Sequence, residues 1–81
     1  MVAENVMAVI ADCMKKAQST KNEDRIGEHL AEALADLQVE MSEEDAANML
    51  EGAIASDKSE ARRDRIFRVW QQLQSRSPGH Q

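Results

Sequence analysis

The sequence predicts an all-α protein, a compact bundle or array of four short amphipathic helices. Three observations predict it. Apolar residues recur at spacings of three and four in four separate segments. The apolar fraction is carried by Ala, Leu, Ile, Val and Met, with one Trp, one Phe and no Tyr, a mixture that favours helices over strands. The polar stretches between the segments are short and rich in residues that start helices.

The first helix is expected from about Val2 to Gln18. On a 3.6-residue period Val2, Val6, Val9, Ile10, Cys13 and Ala17 share one face, Met7 and Met14 widen it, and Glu4, Asp12 and Lys15 lie opposite. An arc that broad has two explanations. Either the helix is touched on two sides by its own chain, or the Met7 and Met14 edge is covered by a second copy or a partner. Ser19-Thr20-Lys21-Asn22 then supplies a turn and an N-cap for the next helix.

The second helix, Asn22 to about Gln38, has the cleanest pattern, with Ile26, Leu30, Ala33, Leu34 and Leu37 facing inward and Glu28, Glu32 and Asp36 outward. Glu23 and Asp24 suit the positive end of its dipole. Gly27 either weakens it by about 1 kcal/mol relative to Ala or permits a close helix approach.

Ser42-Glu43-Glu44-Asp45 reads as a start signal for a third helix ending near Ser56, which turns Ala46, Met49, Leu50, Ala53 and Ile54 inward and is weakened by Gly52. Asp57 or Ser59 is the next N-cap. The fourth helix continues to about Ser75 on a core face of Ile66, Val69, Trp70 and Leu73. Residues 1–76 form one domain, and Ser77-Pro78-Gly79-His80-Gln81 is expected to fray as a tail. For a domain this small, burial and an ordering cost of roughly 1.5 kcal/mol per residue come close to cancelling, a shortage that a homodimer would relieve.

No apolar run is long enough to span a bilayer and the first residues lack the basic region of a secretory signal, so a cytoplasmic address is expected. The single Cys13 has no partner for an internal disulfide and reads as a small buried hydrophobe. The net charge of −5 is unevenly spread. Residues 1–57 hold thirteen acids against four bases, whereas residues 58–81 hold two acids against six bases. The molecule is therefore expected to be an electrical dipole, basic at its fourth helix.

That helix is where a functional surface is expected. Arg62, Arg63, Arg65 and Arg68 crowd Phe67 and Trp70; Arg65 and Arg68 lie along one border of the apolar stripe, Arg63 and Phe67 toward the other. Guanidinium groups pair with carboxylates in bidentate fashion and aromatic rings bury large areas, the combination enriched at protein-binding hot spots. The expected contact residues are Arg63, Arg65, Phe67 and Arg68, with Met7 and Met14 as a second edge. The competing account keeps Trp70 in the core and spends the arginines on the acidic helices of the same chain.

The functional expectation is a non-enzymatic protein-binding protein, an adaptor, regulator or inhibitor, whose partner the residues do not identify. Nucleic-acid binding through Arg62, Arg63, Arg65, Arg68 and Arg76 is the alternative, opposed by the acids elsewhere in the chain. No catalytic residues are expected. His29, near Arg25, Glu32 and Asp36 at helical spacing, reads as a solvated side chain, and His80 falls in the tail. Cys and His do not pair at ligand spacing, and Gly27, Gly52 and Gly79 are isolated from one another, so neither a metal nor a nucleotide cofactor is expected.

Overall fold

A computed structural model of the chain describes residues 2–75, with side chains from residue 5 onward. The expected tail and Arg76 lie outside the described residues. Four helices follow one another: α1 (Val2–Ser19), α2 (Glu23–Leu37), α3 (Glu43–Ala55) and α4 (Glu60–Ser75). Among the described residues none of these is long and apolar enough to cross a membrane.

Each connection is short because a polar residue stops one helix and starts the next. Asn22 is the N-cap of α2, its Oδ1 accepting from the backbone N–H of Asp24 at 2.9 Å and of Arg25 at 3.3 Å. The Ser42 hydroxyl does the same for α3, accepting from Asp45 N–H at 3.1 Å. Ser59 starts α4, accepting from Arg62 N–H at 3.4 Å. These bonds satisfy amide groups that the first turn of a helix cannot satisfy itself.

Side-chain contacts fix how the helices run. Cys13 Sγ lies 3.5 Å from the His29 carbonyl and Asn5 Nδ2 donates to Glu40 just beyond α2, so α1 and α2 form an antiparallel pair. α2 lies against all three other helices, and α3 packs on α4. The result is a flattened body of 33 × 32 × 18 Å.

The core is one cluster drawn from all four helices. α2 contributes Ile26, Leu30, Ala33 and Leu37, α3 contributes Ala46, Leu50 and Ile54, and α4 contributes Ile66, Val69 and Trp70. Val6, Cys13, Met14 and Ala17 enter from α1. Trp70, only 1% exposed, is the largest of these side chains. Leu34, Ala53 and Leu73 are half-buried at its edge. Met49, expected inside, is 40% exposed. It precedes Leu50 by one residue, a rotation of about 100° that carries it off the buried stripe.

Neither described glycine is required by packing. A Cβ on Gly27 would sit 3.5 Å from Val69 Cγ1, an ordinary contact, and one on Gly52 would meet nothing within 4 Å. Close approach of helices therefore does not explain Gly27.

The buried group that most constrains the fold is Asp57, between α3 and α4, the one buried polar residue among the described residues. Its Oδ1 accepts from the Ser59 backbone N–H at 3.0 Å, closing a side-chain turn ahead of the cap. Arg62 grips both carboxylate oxygens, Nε to Oδ2 at 2.8 Å and Nη2 to Oδ1 at 2.7 Å. Gln18 Nε2 of α1 adds a bond to Oδ2 at 3.3 Å. Asp57 is thus a buried clamp that joins α1 to the α3–α4 corner, with Ser59 as the cap proper.

The Arg62 hydrogen bonds outweigh the cost of burial and, with those from Ser59 and Gln18, lower the Asp57 pKa to about 2. A folded-state pKa below the unfolded one stabilises the fold above the unfolded value, and this contribution is lost as the pH falls. Acid titration from about pH 4 to about pH 2 should therefore remove about 1–2 kcal/mol, discounted for the partial exposure of Arg62. Asp57→Asn should lose this part of the pH dependence, as read by urea unfolding at each pH; an unchanged acid profile would mean that the clamp is open in solution. By contrast, Gly52→Ala should raise stability by about 0.5–1 kcal/mol in the same assay, since it improves helix propensity in open space.

Candidate partner-binding surface

α4 turns Ile66, Val69 and Trp70 into the core, and this orientation sorts its arginines. Arg62 is committed to Asp57. Arg63 is half-buried and lies 3.9 Å from Glu60 and 3.8 Å from Asp64, two loose contacts within its own helix. Arg68 is 58% exposed and reaches across to α2, Nη2 donating to Glu23 Oε2 at 3.0 Å. Arg65 is half-buried and has no ion pair among the described residues.

Phe67, a candidate for full exposure on the helical wheel, is half-buried and packs against the core cluster. Its ring therefore offers an edge rather than a whole face. Phe67 and Arg65 mark opposite borders of the outward side of α4, and Asp64 and Arg68 stand exposed between them. On the outward side, Arg68 joins an acid of another helix, Glu23 of α2. The intramolecular account thus holds for Arg62 and Arg68, which serve the chain's own acids; Arg65 makes no such pair among the described residues.

The second expected edge divides in two. Met14 is 9% exposed and belongs to the chain's own core, so it is corrected from a contact residue to a packing residue. The cause is the packing of α1, chiefly against α2 and to a lesser extent against α3 and α4, which covers the later part of its arc from within the chain. Met7, two turns earlier, stays 69% exposed, with Ile10 half-buried beside it. Two further apolar side chains are exposed: Val39 at 81%, to which the sequence pattern assigns no face, and Met49, which the helical period places inward. Val39 follows the last buried residue of α2 in a turn closed by Glu40 and Met41 N–H groups on the Leu37 carbonyl.

A groove of about 210 Å³ runs between α1 and α2, lined by Val9, Asp12, Cys13, Lys16, His29 and Glu32 among others. Cys13 is 4% exposed there. Burial, reinforced by the Asp12 carboxylate and opposed by the Lys16 ammonium, pushes its thiol up to about 11. Such a thiol is neither a nucleophile nor a ready metal ligand near neutral pH. Among the described residues no three His, Cys, Asp or Glu side chains converge in a way that could hold a metal ion.

Against known proteins, the chain matches no family model, no curated protein and no solved structure.

The buried, protonated state of Cys13 is directly measurable. Raising the thiol pKa from 9.0 to about 11 alone lowers the thiolate fraction about 100-fold at neutral pH. Iodoacetamide should therefore label the native protein at least about 100-fold more slowly than the urea-unfolded protein, followed by mass spectrometry. Comparable rates would show that the α1–α2 seam opens readily.

Proposed function

We propose that the protein acts by binding another protein, as a non-enzymatic adaptor, regulator or inhibitor, and that the outward face of α4 carries the contact. The observation that supports this reading most is Arg65. It is a half-buried guanidinium on the one basic helix of an acidic chain, with no carboxylate of its own chain in an ion pair among the described residues. A surface bearing a carboxylate opposite Arg65 and an apolar edge opposite Phe67 would complement it. Arg63 and Arg68 widen the contact, because their present pairs are loose or solvent-exposed and exchange at little cost.

A second copy of the chain is one such partner, with the acidic helices of one copy meeting α4 of the other. The exposed Met7 end of α1 is the next surface to consider. Nucleic acid is the competing ligand for the same arginines, and the test below separates it.

The double substitution Arg65→Glu and Arg68→Glu should weaken partner binding at least about tenfold while leaving the helical circular dichroism unchanged, because the exposed Arg68–Glu23 pair contributes no more than about 1 kcal/mol. Binding is read by retention from a native extract on the immobilised protein and on the variant, each with and without nuclease. Protein retained on the wild type after nuclease and lost on the variant supports the reading. Material lost with nuclease transfers the α4 face to nucleic acid. Equal retention on both proteins moves the contact off α4, with Met7 the first position to substitute.

A further inference from the structure

We propose a second site, independent of the α4 surface: a basic pocket at the α1–α2 turn that takes the phosphate group of a small phosphomonoester. All four bases of residues 1–57 (Lys15, Lys16, Lys21 and Arg25) fall within eleven consecutive residues around this turn. Three of them, Lys15, Lys16 and Arg25, line one pocket of about 550 Å³ together with Asp12, Ser19, Thr20 and His29. Elsewhere these two helices present mainly carboxylates to solvent, so the cluster is a local reversal of sign.

Ordinary structural roles account for only part of it. Lys15 and Lys16 stand in the last turns of α1, where a cation suits the negative end of the helix. Lys16 is also held by Asp12, one turn earlier, at 3.0 Å, and both residues line the pocket. Arg25 has neither excuse. It is the third residue of α2, at the positive end of that helix, where a cation is disfavoured. It forms no ion pair among the described residues, although Glu23 and Asp24 are its neighbours; Glu23 pairs with Arg68 instead. Lys15 likewise has no ion pair among the described residues. Like charges facing one pocket repel, and a dianion between them would remove that cost.

Hydrogen-bond capacity matches. Thr20 Oγ1 accepts from Asn22 N–H at 3.1 Å, which leaves its own hydrogen available to donate. The Ser19 hydroxyl is already spent on the Lys15 carbonyl at 2.6 Å. The amide groups of Asp24 and Arg25 are occupied by the Asn22 cap, so the charged side chains, rather than the end of the helix, make the site. Two ammonium groups and a guanidinium against one carboxylate leave the lining with an excess of two positive charges.

The neighbouring geometry indicates the rest of the ligand. The pocket shares Asp12, Lys16 and His29 with the α1–α2 groove, which continues over Val9 and Ala33 to Glu32 and Asp36. Those carboxylates would repel a second phosphate and accept hydrogen bonds from an organic body. The arrangement therefore fits one phosphate head on a body that carries donors.

Inorganic phosphate is the probe. Titrated into the protein at constant pH and ionic strength, it should give saturable amide shifts confined to the turn between Asp12 and His29, with a Kd on the order of millimolar. Lys15→Gln with Arg25→Gln should weaken binding at least fivefold; both side chains are exposed and unpaired by ion pairs among the described residues, so the fold is retained. Arg65→Glu with Arg68→Glu should leave it unchanged, which separates this site from the α4 reading. Shifts that chloride reproduces, that centre on α4, or that persist in the Lys15 and Arg25 variant would overturn the proposal.

Discussion

The Asp57 carboxylate is the constraint on which the arrangement of the other helices turns. Its side chain is 1% exposed, and a buried charge is tolerable only when its partners replace the water it has lost. The three partners come from three places: Ser59 from the approach to α4, Arg62 from its first turn and Gln18 from the end of α1. Apolar contacts alone would let the α3–α4 corner slide along α1, because Met14 and Ala17 offer no directional bond. The clamp fixes that register, and the position of the whole of α4 against α1 follows from it.

This has a consequence for the charge distribution. One of the arginines that make α4 basic is held by the buried Asp57, and another leans on Glu23 of α2. The basic end is therefore not simply a surface field waiting for a partner; it is partly a device for placing α4 on an acidic scaffold. Arg65 is distinguished by contrast. It shares the helix and the charge of its neighbours but makes no ion pair among the described residues.

Helix boundaries were legible to within one or two residues because their causes are local. Asn22, Ser42 and Ser59 cap helices through bonds to amides two or three residues away, so the chain itself carries the signal. The buried stripe of α2 was equally plain, because α2 is amphipathic and lies against every other helix. What escaped was decided by tertiary packing. Met7 and Met14 occupy nearly the same angular position on α1, yet one is exposed and the other is in the core. Asp57 resembled a helix cap because its neighbours in sequence are cap residues, and the roles of Arg62 and Gln18 depend on the fold.

The turn between α1 and α2 was opaque for a related reason. Read along the chain, Lys15, Lys16, Lys21 and Arg25 are a short run of bases on both sides of a turn, with nothing to say which of them face one space. Antiparallel packing of the two helices brings the end of one against the beginning of the other, and only then do the first two and the last face one space with His29. A helix hairpin does this to any charges placed in its outer turns. Natural folds usually offset such convergence with nearby acids, as Asp12 does for Lys16 within α1 and Glu23 of α2 does for Arg68 of α4. Arg25 and Lys15 are residues for which that compensation is missing among the described residues, and an anion from outside the chain is the simplest group that would supply it.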